Sequence, residues 1–205
     1  MSKSGVFYVI SAPSGAGKTS LVSELVGQMD RLEISVSHTT RAKRPGEVDG
    51  EDYYFIKNAR FDEMVADNKF IEHAVVYENK YGTSQNWVMD KLAQGIDVVL
   101  EIDWQGAMQI RRKFPAAVSI FVLPPSYKAL KQRLLTRNDA VTNIEKRMET
   151  AKEEVSHYDE FDYVIINDEF AKDLRDIKTI VNAYRVLESF KKHSLRDLLA
   201  QLLKN

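Results

Sequence analysis

The chain has 205 residues, 44% of them hydrophobic and 29% charged, with a formal net charge of −1; that size and composition suit one soluble globular core with a small insertion, and near-neutrality argues against a dominant nucleic-acid footprint. It contains no cysteine, which excludes disulfides, thiolate metal sites and a cysteine nucleophile. The first apolar run stops at Pro13, too early for a signal segment or a membrane span, so a cytoplasmic protein with no membrane partner is expected.

Residues 6–10 are an apolar run suited to a buried strand. Ser11 to Ser20 reads Ser-Ala-Pro-Ser-Gly-Ala-Gly-Lys-Thr-Ser, and Leu21, Val22, Leu25 and Val26 then form an apolar face at helical spacing. Strand, glycine-bearing loop and helix is the context that a P-loop requires. In that reading Ala12, Pro13, Ser14, Gly15, Ala16, Gly17, Lys18, Thr19 and Ser20 wrap the polyphosphate of a nucleotide. Gly15 and Gly17 let the backbone approach closely, and inward N–H groups act with the positive end of the following helix. Lys18 reaches the β- and γ-phosphate oxygens, and Thr19 holds Mg²⁺ through its hydroxyl. Ala12 stands where the strict pattern has its first glycine. The bland alternative is a glycine-rich turn; the flanking strand and helix favour phosphate binding.

The first unit ends near Arg31. Ile34, Val36 and the following Ser-His-Thr-Thr are predicted as one strand with a polar end, and Arg41 to Gly46 as a basic turn. Residues 53–56 are predicted as a strand, 61–68 as a helix, 70–77 as a strand and 78–83 as a hairpin-like loop. Ser84 is placed to cap a helix that runs to Gly95. Between about Glu33 and Thr83 no βαβ rhythm is visible, which predicts a small α/β insertion with a mostly antiparallel sheet of its own.

The parallel rhythm then returns. Residues 98–100 form a buried strand ending in Glu101-Ile102-Asp103, and a helix over 104–114 follows. Val118–Leu123 is the next strand, closed by Pro124-Pro125. A helix over 127–138 carries Arg133 and Arg137. Thr142-Asn143-Ile144-Glu145 is a capping-box pattern opening a helix that carries Arg147. Tyr163–Ile166 is a strand, Asn167-Asp168 follows it, and a helix runs from Phe170 to about Phe190. Leu195, Leu198, Leu199, Leu202 and Leu203 share one helical face. That stripe reads first as simple packing and second as a homo-oligomer or partner-helix contact.

Apolar strands alternating with helices predict an α/β fold with a parallel sheet covered on both faces and ligands beyond the carboxyl ends of its strands. The P-loop and the Glu101/Asp103 pair fall at such ends. Residues 98–103 also resemble a Walker B strand, where an acidic side chain serves the outer sphere of Mg²⁺ or orients a substrate; a helix cap is an equal alternative. The arginines are a second signal. Arg41 and Arg44 share a turn, Tyr53 and Tyr81 lie on later loops, and Arg133, Arg137 and Arg147 occupy one helical pair. An arginine fork matches phosphate oxygens, and phosphoryl transfer asks the protein for alignment and charge neutralisation. Singly, each is an ordinary surface arginine; their grouping carries the argument.

The motifs then resemble a known family. Residues 35–47, Ser-Val-Ser-His-Thr-Thr-Arg-Ala-Lys-Arg-Pro-Gly-Glu, with Gly50-Glu51-Asp52-Tyr53-Tyr54-Phe55, are similar to the guanylate kinase signature. So are Phe70-Ile71-Glu72, Tyr81-Gly82-Thr83 and Glu101-Ile102-Asp103-Trp104-Gln105-Gly106. The resemblance, to the bacterial single-domain type, runs from the P-loop to Asn167-Asp168. It implies a P-loop kinase fold in which ATP, as its Mg²⁺ complex, phosphorylates GMP, and dGMP as well. It implies a core of 1–32, 92–125 and 157–205, a GMP-binding domain over 33–91 and a helical lid over 126–156. It assigns Arg41, Arg44, Tyr53 and Tyr81 to the GMP phosphate, and Ser37, Glu72, Thr83 and Asp103 to guanine, with Glu101 beside them. Arg133, Arg137 and Arg147 close over the migrating phosphoryl group, Asn167 lies near adenine, and the family tolerates alanine at position 12.

The chemistry of Glu72 stands beside that resemblance. Guanine presents N1–H and N2–H₂ as adjacent donors, and an ionised carboxylate is acceptor-only. Adenine offers an unprotonated N1 instead, so Glu72 would meet it lone pair to lone pair. Alone, Glu72 is merely a polar position on an alternating strand. The acceptor phosphate, with a second pKa of about 6, needs no general base, so neither His38 nor His73 receives a catalytic role. Two rivals stand against this reading: a non-catalytic guanylate-kinase-like module that binds phosphopeptides, and a P-loop kinase with another small phosphorylated acceptor.

Overall fold

Tyr8 and Ile10 face one side of a strand while Phe7 and Val9 face the other, and all four are buried. A strand whose alternate residues are apolar on both faces belongs in the middle of a covered sheet. A computed structural model, which describes residues 4–76, 78–136, 144–189 and 196–203, places it there. In chain order the elements are β1 (Phe7–Ser11), α1 (Lys18–Gly27), β2 (Leu32–Ile34), β3 (His38–Thr39), β4 (Tyr54–Phe55), α2 (Asn58–Ala66), β5 (Phe70–Val76), β6 (Asn79–Ser84) and α3 (Gln85–Ala93). They continue with β7 (Asp97–Glu101), α4 (Trp104–Lys113), β8 (Val118–Leu123), α5 (Tyr127–Thr136), α6 (Ile144–Ser156), β9 (Tyr163–Ile166), α7 (Phe170–Ser189) and α8 (Arg196–Leu202).

The main sheet has the order β2-β7-β1-β8-β9, and every pairing in it is parallel. One face packs Tyr8, Ile10, Val99 and Ile120 against Leu21 and Leu25 of α1 and Ile177 of α7. The other packs Phe7, Val9, Val98 and Phe121 against Val88 of α3 and Ile110 of α4. Each such side chain, once buried, contributes about 1.5–3 kcal/mol. Because the strands are parallel, Ser11, Ser35, Glu101, Leu123 and Asn167 all emerge at one edge.

The second sheet, order β4-β3-β6-β5, is antiparallel at β3/β6 and β5/β6 and parallel at β3/β4. Its edge strand β5 leans on α4. Gln109 accepts from the His73 N–H at 3.2 Å and donates to the His73 carbonyl at 2.7 Å, while Lys113 Nζ donates to the Ile71 carbonyl at 2.7 Å. A side-chain amide thus completes backbone pairing at an edge that would otherwise stay open.

Two sequence expectations are corrected. The single strand expected from Ile34 onward is two strands in different sheets: β2 pairs with β7, and β3 begins the second sheet. The loop expected at 78–83 is mostly β6, since Asn79 already pairs with Val76. Glu78 takes the left-handed region at φ 69, which confines the turn to its start. Polar residues then extend as a strand because Gly82 admits the Phe70 ring, 2.9 Å from where a Cβ would stand. Tyr77, Arg137, Asn138, Thr142, Asn143, Phe190 and Leu195 lie outside the described residues, as does the side chain of Leu198. Leu199, Leu202 and Leu203 are exposed. Among the described residues no helix is long and apolar enough to cross a membrane.

Candidate active site

Between β1 and α1 the chain turns through Gly15 and Gly17 at φ 91 and 93, a region that costs a Cβ-bearing residue strain. Gly17 caps α1 with no side-chain acceptor, so the first-turn N–H groups are left for a ligand. Four elements hold the loop. From β7, the Glu101 carboxylate accepts from the Thr19 hydroxyl at 2.5 Å, and the carbonyl of the following Ile102 accepts from Lys18 Nζ at 2.8 Å. From the end of β9, the buried Asn167 amide donates to the Ala16 carbonyl at 2.5 Å. From α5, Arg133 donates to the carbonyls of Ala16 at 3.1 Å and Asn167 at 3.0 Å. Leu134 fills the space beside Gly15, 2.9 Å from where a Cβ would stand. From α6, Arg147 donates to Ser14 Oγ at 3.1 Å, and Glu154 accepts from the Ser14 N–H at 3.0 Å.

Across the cleft, Arg41 forms a forked pair with Glu47, at 2.6 and 3.0 Å, and lies over the rings of Tyr53 and Phe55, 5.3 and 5.6 Å from their centroids. The hydrogen bond from Arg41 holds the Glu47 carboxyl below its ordinary range, against a smaller opposing effect of burial. Glu47 also accepts from the Arg44 N–H at 2.8 Å. Tyr53 and Tyr81 pack edge to face at 5.9 Å. Burial, then the charge of Glu101, pushes the Tyr53 hydroxyl up to about 12.

Glu72 projects from β5, where the register shifts between Phe70 and Glu72 and three consecutive residues are buried. A shift of this kind re-aims a side chain. Its carboxyl is 2% exposed, bonded to Thr83 on one side, and pushed up to about 7 by burial. One oxygen, Oε1, has no hydrogen-bond partner among the described residues. A buried carboxylate with a spare acceptor is costly unless a ligand donates to it. Beside it, Ser37 and Thr83 share a hydroxyl contact at 3.3 Å. Asp103 accepts from the Gly106 N–H at 3.0 Å and from Gln105 at 3.1 Å, and so caps α4.

The phosphate loop, Arg41, Glu47, Tyr53, Glu72, Tyr81 and Asp103 line one cleft of about 890 Å³, near the upper end of the range for ligand sites. The family model for Guanylate kinase matches residues 4–184. The chain is 50% identical over 204 residues to a guanylate kinase of Coxiella burnetii, covering 99% of this chain and 98% of that one. It is 53% identical over 200 residues to one from Methylococcus capsulatus, covering 97% and 98%. The chain belongs to the guanylate kinase family. A crystal structure of guanylate kinase from Anaplasma phagocytophilum superposes with a TM-score of 0.80 at 33% identity, over 98% of this chain and 96% of that one.

In this member of the guanylate kinase family the sequence-predicted residues converge from both sheets. Lys18, Thr19, Arg41, Arg44, Tyr53, Glu72, Tyr81, Glu101, Asp103, Arg133 and Arg147 all line the cleft. Ala16, Thr83 and Asn167 are buried behind its wall. Arg137 lies outside the described residues. Sequence reasoning assigned no role to Glu47, Asp52, Lys146 or Glu154, which also line it. A signal existed for Glu154: it is the charged position on the buried stripe Met148, Ala151, Glu154 of α6. Glu47 carried only its place at the end of the 35–47 stretch, one residue past the basic turn of Arg41 to Gly46.

Proposed function

We propose that this chain transfers the γ-phosphoryl group of ATP to GMP, and to dGMP, giving ADP and GDP. The observation that carries the proposal is the buried, half-partnered carboxylate of Glu72 in the same cleft as the P-loop. Guanine N1–H and N2–H₂ supply the donors that Oε1 lacks, and they favour the ionised form that burial alone disfavours. Ser37, Thr83 and Asp103 complete the surroundings of the base.

The GMP phosphate is gripped by Arg41, Arg44, Tyr53 and Tyr81. Glu47 presets the fork of Arg41, so little side-chain freedom is lost on binding. The ATP phosphates lie in the P-loop, residues 12–20, on the amides that Glu154 and the Pro13 carbonyl leave open, with Lys18 on the β- and γ-oxygens and Asn167 bracing the loop near adenine. The acceptor is already an anion, so the reaction is an in-line displacement without a base: the acceptor oxygen forms the new P–O bond as the bond to ADP breaks. Arg41, Lys18, Arg133, Arg137 and Arg147 neutralise charge spread over the migrating group. The Thr19 hydroxyl with the Glu101 carboxylate is a hard-oxygen donor set that fits Mg²⁺, which would supply charge neutralisation on the ATP phosphates. Among the described residues no three acidic or histidine side chains form a protein-made metal cage, so phosphate oxygens and water would complete the coordination.

Residues 33–91 act as the GMP-binding domain and 126–156 as the lid, closing on the core to exclude water. A cytoplasmic location is part of this proposal. Steady-state assays of ADP release with GMP, AMP and UMP test it. Release is expected with GMP; equal release with all three, or none with any, overturns it. The rival non-catalytic module predicts no ADP at all, and the cationic lining by Lys18, Arg41 and Arg147 speaks against that rival.

A further inference from the structure

Helix α6 reaches the P-loop with two side chains, and both end on one residue. Arg147 donates to the Ser14 hydroxyl, and Glu154 accepts from the Ser14 N–H, at 3.1 and 3.0 Å. Seven positions separate them, two helical turns, so they share a face about 10 Å apart along the axis. Between them Met148 and Ala151 pack against Leu130 and Leu134 of α5. Glu154 therefore sits on an apolar stripe, 8% exposed. Burial pushes its carboxyl up, opposed by the Ser14 N–H and by the charge of Lys18, with Asp103 and Glu153 adding to the rise. An acidic group at such a place destabilises the packing unless its contact does something in return, and the transfer chemistry above makes no use of it.

We propose that Glu154 is a positioning residue: its side chain docks α6 on the Ser14 amide and so holds Arg147 at the mouth of the phosphate cradle. The proposal rests on the reading of Arg147 as a phosphoryl-group ligand and deepens it. Arg133 of α5 already ties the lid to the Ala16 carbonyl at 3.1 Å; at the two residues ahead of Ala16 the lid meets the loop by contacts of different character. At Gly15 the contact is apolar, through Leu130 and Leu134; at Ser14 it is a directed hydrogen bond. Apolar contact alone lets a helix slide or rotate, whereas a hydrogen bond requires donor and acceptor within about 3 Å and well aligned. Glu154 meets Ser14, ahead of both loop glycines, and the first-turn amides of α1 stay available for phosphate. The same contact read as an anionic plug, expelled by ATP, would depend on charge; docking depends on reach.

Three substitutions separate charge from reach. Glu154→Gln keeps the length and an acceptor oxygen without the charge; Glu154→Asp keeps the charge one methylene short; Glu154→Ala loses both. ADP and GDP are measured together at saturating substrates, with ATP affinity and thermal melting measured alongside. Docking predicts that Asp and Ala lower kcat by about tenfold or more, the worth of one hydrogen bond to a charged group. Both variants leave KM for GMP unchanged and release ADP in excess of GDP, because a misplaced Arg147 admits water. Gln restores most of the rate and the matched yield. Gln falling as far as Ala, Asp behaving as the parent, all three at the parent rate, or any variant binding ATP more tightly overturns the proposal. Should Ala fail to fold, the Gln and Asp variants decide. Failure of the GMP reading itself would show in the unaltered chain, as ADP release indifferent to GMP.

Discussion

The Thr19 hydroxyl donates to Glu101 Oε1 at 2.5 Å, joining the first turn of α1 to the end of β7. That contact turns the lone pairs of the Thr19 oxygen away from Glu101 and into the cleft, the orientation a metal-ligating hydroxyl needs. Glu101→Ala is expected to raise the Mg²⁺ concentration for half-maximal turnover by about 10- to 100-fold, as loss of an orienting partner does at other metal sites. Titrating Mg²⁺ against rate at fixed ATP checks this, and an unshifted midpoint removes Glu101 from the metal's surroundings. Chelating the metal should abolish turnover in the parent.

Among the described residues Lys18 is tied to the fold by one hydrogen bond, to the Ile102 carbonyl at 2.8 Å. Lys18→Ala should therefore leave the melting temperature close to the parent's. Turnover should fall by about 10²–10³-fold, the scale seen when one charge-stabilising donor is removed. Near-normal turnover in a folded variant would take Lys18 out of the transfer step.

Glu72 makes stability and binding depend on pH in opposite senses. Its carboxyl is raised to about 7 in the folded chain, whereas an unfolded glutamate titrates at about 4.3. Between those values the folded state holds a proton that the unfolded state has lost. The contribution to stability is fully present below the lower value and is lost as pH rises through about 7. GMP affinity should instead strengthen over the same rise, because guanine donors need the ionised acceptor. Glu72→Gln should flatten both profiles and narrow the preference for GMP over AMP. Urea melts and equilibrium binding between pH 5 and 8 test it; parallel slopes in parent and variant would place the guanine contacts elsewhere.

Gly106 sits where a Cβ would stand 2.5 Å from Glu72 Oε2. In the first turn of α4, alanine is otherwise the better helix former by about 1 kcal/mol. Gly106→Ala should thus cost little stability while displacing the Glu72 carboxylate. We expect KM for GMP to rise about tenfold or more with ATP binding unaffected, since small misplacements at a site are costly. An unchanged KM for GMP would show that Glu72 can yield without consequence.

Much of this protein was legible in local pattern. Residues 11–20 announce a phosphate loop because strand, turn and helix are all encoded by neighbours within a few positions. Val118–Leu123 reads as a buried strand because both its faces are apolar. The polar run of β6 did not read as a strand: its extension depends on pairing with β5 and on Phe70 lying over Gly82. Likewise, Ile34 and His38 look continuous in sequence, yet they serve different sheets.

The amino-acid order alone settled the alternation of strands and helices, the phosphate loop and the inventory of arginines and carboxylates, since each depends on periodicity or on spacing along one segment. Which carboxylate meets Thr19 and which caps a helix, why Glu72 keeps an unpaired oxygen, and how Glu154 comes to rest on Ser14 were settled by packing. Glu154 and Ser14 are 140 positions apart. Contacts over such separations follow from how helices seat on a twisted sheet, and no short-range propensity carries that information.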